Sequence, residues 1–232
     1  MTFIVEGYAS MKGNLHLFMD IAGRMIYMTG TSLAIYFAAG GQRFIQKPIG
    51  IIYLILWNIW WAVTFLGRQR GKQTNYDLGK NWLVILSSIV AVPFLVLIPP
   101  LEYTGFTGPL PRDSLLSWLG LSVYTSGIVI QAIAMWQLRT FYTVRLGVAD
   151  HQKLVTTGMY SSIRHPGYFS YLLSITGIGL SMSSLATLIL AVAIFLFLKS
   201  RIASEEEMMI TEFGDSYKQY MRKTRRLIPF VY

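Results

Sequence analysis

The chain has no cysteine among its 232 residues. Disulfides, cysteine-ligated zinc, iron–sulfur clusters and thiol nucleophiles are thereby excluded. Histidine is scarce as well, and His16, His151 and His165 lie too far apart to match a metal-ligand spacing. Charge is the third shortage: 13% of residues are charged and 53% are hydrophobic. That is about half the charged share of an ordinary soluble domain. The apolar residues are gathered in blocks rather than spread at one period, so the sequence reads as an integral membrane protein.

What charge there is runs basic, with 20 Lys and Arg against 11 Asp and Glu and a formal net charge of +9. The cations are scattered between apolar blocks and form no stripe along a soluble helix. They read as loop and headgroup residues, with membrane lipids as partners and nucleic acid not a partner. Glu6, Lys12 and Asp20 precede any long apolar run, so the N-terminus is not expected to be a cleaved signal peptide.

Four long apolar blocks run from Met25 to Ala39, Pro48 to Gly67, Trp82 to Leu101 and Leu115 to Leu138. At about 20 residues per span the last three suffice, and the first does so only if Ile21 to Arg24 extend it. Pro93, inside the third block, predicts a kink. Two shorter stretches, Gly167 to Leu180 and Leu185 to Leu198, are joined by "SMSS" and predict a tight helical hairpin. The expected fold is all-α, a polytopic membrane helical bundle of about six spans, or five if the first block lies at the surface. Residues 1–144 would be the N-terminal transmembrane helices and 145–232 a cofactor-binding region, together one domain.

Loop charge sets an orientation. "GRQRGKQTNYDLGK" (67–80) and the cation-rich stretch 139–164 are expected in the cytoplasm, with "EYTGFTGPLPRD" (102–113) outside and both termini inside. Arg43 and Lys47 fall on the wrong side of this scheme. From Lys199 onward "KSRIASEEEMMITEF" has helical spacing, and Glu205 to Glu207 read as a solvated acidic helix end. Gly214, Asp215 and Ser216 predict a helix stop and a new N-cap. The short helix "YKQYM" that follows, with Tyr217 and Tyr220, is expected to lie among headgroups.

Chemistry concentrates in two places. Arg201 and Glu205 are four residues apart and share a helix face. They suit either a juxtamembrane ion pair or a pair of ligand-binding groups at the membrane boundary. In "LVTTGMYSSIRHPGY" (154–168), Gly158 supplies a turn and Pro166 a helix start, with Tyr160 and Tyr168 flanking Arg164 and His165. Alone this stretch reads equally as an interfacial anchor or as one wall of a site, since tyrosine faces attract cations. The hairpin returns both clusters to the same side of the membrane, which favours a site. No phosphate-binding glycine loop and no serine nucleophile motif is present.

These pieces carry a resemblance. "LVTTGMY" (154–160), "RHPGY" (164–168), the Arg201 to Glu205 spacing, and "EFGDSYKQY" (212–220) ending in "RLIP" (226–229) follow one order over residues 145–232. In this the chain resembles the integral-membrane isoprenylcysteine carboxyl methyltransferases, in the form of their prokaryotic relatives. The "RHP.Y" element alone also occurs in membrane phospholipid methyltransferases and in NADPH-dependent sterol-reductase-like proteins. The resemblance implies S-adenosylmethionine as cofactor; no metal is expected, since neither the histidines nor Glu205 to Glu207 have a partner at ligand spacing. It implies cofactor contacts from Gln152, Lys153, Leu154, Val155, Tyr160, His165, Pro166, Gly167, Tyr168 and Glu205. Arg201 would hold the substrate carboxylate and be the catalytic residue. Where the family often has a histidine two residues before the "LV" pair, this chain has Gln152, with His151 one step earlier.

The implied acceptor is lipophilic, enters from the bilayer and carries an isoprenylcysteine-like carboxylate. Alternatives are a phospholipid amine or small thiol on the same scaffold, an NADPH-dependent reductase, and a non-enzymatic membrane scaffold. The absence of cysteine and the compact size fit a prokaryotic inner membrane.

Overall fold

A computed structural model describes residues 2–66, 92–105, 110–138 and 153–228. The helices are α1 (Thr2–Ala38), α2 (Gln42–Ile45), α3 (Pro48–Leu66), α4 (Val92–Thr104), α5 (Leu115–Leu138), α6 (Pro166–Ser181), α7 (Leu185–Phe213) and α8 (Asp215–Lys223). Among the described residues, the extended pairing is an isolated parallel bridge between Ile163 and Arg225. The all-α expectation therefore holds. Among the described residues, three helices are long and apolar enough to cross a membrane: Pro48–Phe65, Leu115–Leu138 and Leu185–Phe213. The residues before Val92, which would show the kink expected at Pro93, lie outside the described residues. So do the loops 67–80 and 139–152 that set the orientation.

Small residues decide where α5 meets α6. A Cβ on Gly120 would lie 2.2 Å from the Ser181 nitrogen, one on Gly177 2.4 Å from the Tyr124 nitrogen, and one on Gly127 2.5 Å from Ser174 Oγ. Only glycine permits backbones this close. In lipid, where apolar surface gives helices little reason to associate, such packing is a main source of attraction. The seam brings the start of α6 beside the end of α5.

Polar glue ties α3 to its neighbours. Trp60 Nε1 donates to Gln131 Oε1 at 2.7 Å, and Gln131 Nε2 donates to Thr64 Oγ1 at 3.0 Å. Trp57 Nε1 reaches Thr31 Oγ1 at 3.1 Å, joining α3 to α1. Tyr53 packs on Tyr124 and Trp60 pairs with Gln131, seven residues further along each helix, so α3 and α5 run in the same direction. On the opposite side, α1 exposes Ile26 and Phe37, as a lipid-facing surface does.

The expected hairpin is present, and its tip is anchored. Ser183 takes a left-handed φ of 53°. Ser184 caps α7 by accepting from the Thr187 nitrogen at 3.2 Å and also donates to the Glu102 carboxylate of α4. Its second arm departs from expectation. The apolar stretch ending at Leu198 and the charged segment after it form one unbroken helix of 29 residues, because nothing between them breaks a helix. At 1.5 Å per residue α7 is about 43 Å long. It therefore outreaches a hydrocarbon core of about 30 Å and lifts its polar end clear of it.

Gly214 stops α7 at φ 56° and caps α8, placing Asp215 in the first turn rather than at the cap, where its charge complements the helix dipole. The headgroup location expected for Tyr217 and Tyr220 is corrected, because both are buried. The Tyr220 hydroxyl donates to the Tyr160 carbonyl at 2.6 Å. Burial pushes both phenol groups well above their usual range. They are the large apolar groups of an otherwise charged helix, so α8 turns them toward residues 160–164 and leaves Lys218, Arg222 and Lys223 in solvent.

Candidate functional site

The segment before α6 is extended, and proline explains why. Pro166 sits at the first helical position, which disfavours a helical His165, and His165 is the N-cap at φ −123°. The nitrogens left without helical partners turn sideways. Arg164 N donates to the Arg225 carbonyl at 2.8 Å, His165 N to the Arg226 carbonyl at 3.0 Å, and Arg225 N to the Ser162 carbonyl at 3.0 Å. The chain after α8 is thus zipped onto the segment that opens α6.

Beneath this zipper lies Glu206, which is 2% exposed. Arg164 Nε donates to its Oε1 at 2.7 Å and Arg226 Nε to its Oε2 at 2.9 Å, while His165 Nε2 is 3.6 Å from Oε1. Arg164 also donates to the Met221 carbonyl at 3.1 Å and to Thr224 Oγ1 at 3.2 Å. The reading of Glu205 to Glu207 as a solvated acidic end is corrected at Glu206. Leu198, Ile202 and Glu206 recur every four residues on the buried stripe of α7, and only Glu207 is exposed.

The second cluster converges on one hydroxyl. Tyr168 accepts from Arg201 Nε at 2.7 Å and donates to Glu205 Oε2 at 2.6 Å. The Arg201 guanidinium carbon is 5.6 Å from the centre of the Tyr168 ring. The imidazole of His165 stacks on the same ring, with centroids 5.6 Å apart and planes tilted by 16°. His165 Nδ1 lies 3.9 Å from Glu205 Oε1. Arg201 and His165 are both buried, and among the described residues His165 Nε2 has no hydrogen-bond partner. The sequence pairing of Arg201 with Glu205 across one helix face thus contains a third member, Tyr168, supplied by α6.

The other candidates sit as follows. Pro166 and Gly167 begin α6 beside His165. Tyr160 is buried on the α5 side, its hydroxyl 3.5 Å from the Ala134 carbonyl. Gly158 is held at φ 63° with no room for a Cβ beside Gln137, whose Oε1 accepts from the Met159 nitrogen at 3.0 Å. Lys153 is exposed, while Leu154 and Val155 are half-buried in the irregular run before that turn. Gln152 and His151 lie outside the described residues. Among the described residues, no three metal-ligating side chains cluster.

The missed residues are Glu206, Arg226 and Thr224. The four-residue recurrence from Leu198 was the available signal for Glu206, whereas nothing local marks the two tail residues. Chemically, one turn of α7 offers a carboxylate beside two ring faces and then a guanidinium. That arrangement suits a cation at one end and an anion at the other.

Residues 118–211, from α5 through most of α7, match the "Isoprenylcysteine carboxyl methyltransferase (ICMT) family". This stretch contains Tyr168, Arg201, Glu205 and Glu206. The "Probable protein-S-isoprenylcysteine O-methyltransferase" of Oryza sativa subsp. indica is 27% identical over 73% of this chain and 87% of its own. "Protein-S-isoprenylcysteine O-methyltransferase B" of Arabidopsis thaliana is 28% identical over 85% of this chain and 98% of its own. Among solved structures, the "eukaryotic intramembrane Ras methyltransferase ICMT" superposes with a TM-score of 0.59 at 19% identity. The match covers 99% of this chain and 85% of that one. The chain therefore has that protein's fold, and the family model and the two curated relatives carry the same isoprenylcysteine methyltransferase name.

Proposed function

We propose that this protein is an S-adenosylmethionine-dependent membrane methyltransferase that carboxyl-methylates an isoprenylcysteine-like acceptor. The observation that carries this reading is the Tyr168 hydroxyl, which joins Arg201 to Glu205 within the region matched by the family. The donor set suits the cofactor: a carboxylate beside two aromatic faces, those of Tyr168 and His165.

Glu205, with the faces of Tyr168 and His165, would hold the cofactor's cationic centre. Gln152, Lys153, Leu154, Val155, Tyr160, Pro166 and Gly167 would complete the enclosure. When bound, S-adenosylmethionine supplies a methyl group on a positively charged sulfur. Arg201 would grip the acceptor carboxylate through its planar guanidinium, with Tyr168 fixing the plane of that group. A carboxylate is ionised at neutral pH and needs no general base. The protein's work is therefore to align the acceptor and exclude water.

The acceptor is lipophilic and reaches the site from the bilayer, since the polar end of α7 emerges directly from its apolar half. We place the chain in about six spans with both termini and the site in the cytoplasm, on the loop charges. The relatives named above are eukaryotic, so a prokaryotic inner membrane rests on the cysteine-free composition and compact size alone.

Proteoliposomes containing the protein, a prenylated cysteine acceptor and methyl-labelled cofactor test this reading. Label transferred to the acceptor and released from it as methanol by mild base, as from a carboxyl methyl ester, is expected. Consumption of NADPH with no label transferred would overturn it.

A further inference from the structure

Consecutive residues of α7, Glu205 and Glu206, face the two nitrogens of the same imidazole. Glu205 Oε1 is 3.9 Å from His165 Nδ1 and Glu206 Oε1 is 3.6 Å from Nε2. Glu206 does more than flank the ring. Its two oxygens are divided between Arg164, in the segment that opens α6, and Arg226, in the tail after α8. The backbone repeats this cross-link in the hydrogen bonds among Ser162, Arg164, Arg225 and His165. Leu227 of the tail is fully buried against Leu198 and Ile202, in the cluster on which Tyr168 also packs.

A buried ion pair adds little net stability, because desolvation offsets the attraction. What a split carboxylate does supply is orientation: each oxygen fixes one chain segment, and both segments adjoin His165. We infer that Glu206 is a positioning residue, a latch that fastens the tail Thr224–Ile228 to Ser162–His165 and thereby sets the His165 and Tyr168 wall for the cofactor. The inference rests on the methyltransferase reading for the identity of that cofactor. The latch itself does not.

The chain has no native cysteine, so spin labels can be placed at Ser161→Cys and, within the tail, Arg225→Cys, both exposed positions. The inter-label distance reports whether the tail is docked. It is measured in the otherwise unaltered protein, in Glu206→Gln and in Arg226→Gln. The second variant keeps Arg164 paired with Glu206 and alters a side chain that is 37% exposed, so it folds even if the first does not. In parallel, each protein without labels is titrated with S-adenosylhomocysteine.

A narrow distance that broadens in the variants, with affinity reduced roughly tenfold or more, is expected for a misplaced binding wall. An unchanged distance, or a broadened one with unaltered affinity, would overturn the inference. If the unaltered protein bound no S-adenosylhomocysteine, the methyltransferase reading and the cofactor role of the wall would fall, and the distances would still decide the latch.

Discussion

Arg164 and Glu206, 42 residues apart in sequence, meet at 2.7 Å with their side chains 6% and 3% exposed. A cation and a carboxylate have thus been taken out of water at the end of an apolar hairpin. Breaking such a pair from one side leaves the other charge buried and uncompensated. Arg164→Ala should therefore cost about 3–5 kcal/mol of stability. The exposed Arg222→Ala should stay within about 0.5 kcal/mol. Denaturation of both variants in detergent, followed by far-ultraviolet circular dichroism, measures the contrast.

Gly177 lies where a Cβ would stand 2.4 Å from the backbone nitrogen of Tyr124. Gly177→Ala should force α5 and α6 apart at a cost of about 1–3 kcal/mol. Gly23 on α1 has nothing within 4 Å of where a Cβ would stand. Gly23→Ala should instead stabilise the protein by about 0.5–1 kcal/mol, as a mid-helix glycine replacement does. Melting temperatures that move in opposite directions verify the pair.

Asp113 joins the ends of two segments on the far side of the bundle, accepting from Lys47 and from the Tyr103 hydroxyl. Its partial burial raises its pKa. The hydrogen bonds from Lys47 and Tyr103, with the nearby charges of Lys47 and Arg112, outweigh that and hold the carboxyl below its usual range. A depressed folded pKa stabilises the protein above the unfolded value of about 3.9 and is lost as pH falls through the folded one. Asp113→Asn, which tolerates the local φ of 51°, should melt earlier than the parent at pH 7. The difference should close below about pH 4. A constant gap from pH 7 to pH 3 would show that the carboxylate's charge plays no part.

Tyr168→Phe keeps the ring and removes the hydroxyl shared by Arg201 and Glu205. Turnover should fall on the order of 100-fold, the scale of losing alignment of a positioned group. S-adenosylhomocysteine affinity should change far less, because the aromatic face remains. Steady-state turnover beside equilibrium titration separates the two effects.

Much of this was legible in residue order alone. The apolar blocks, the "SMSS" reversal and the Gly214 stop each follow from local chemistry, and the hairpin logic correctly joined Arg201 and Glu205 to the His165 loop. The unbroken α7 was harder to see, because hydropathy falls at Lys199 while helical propensity does not. Tyr217 and Tyr220 misled for a related reason. An aromatic next to basic residues suits headgroups as well as a protein wall, and only the neighbouring segment decides. Glu206 was obscured by its position within three consecutive acids, and its partner Arg226 by a separation no local pattern spans. Tyr168 as the bridge between Arg201 and Glu205 is a tertiary fact, set by the α6 and α7 pairing.

The division of labour between Glu205 and Arg201 is the centre of this account, and one calorimetric experiment bears on it most directly. S-adenosylmethionine, which carries the sulfonium charge, is titrated without acceptor onto the unaltered protein, Glu205→Ala and Arg201→Ala under identical conditions. The account predicts binding to the unaltered protein, a marked loss of affinity in Glu205→Ala, and largely preserved affinity in Arg201→Ala, a variant that should not turn over. Equal affinity in all three proteins would contradict it.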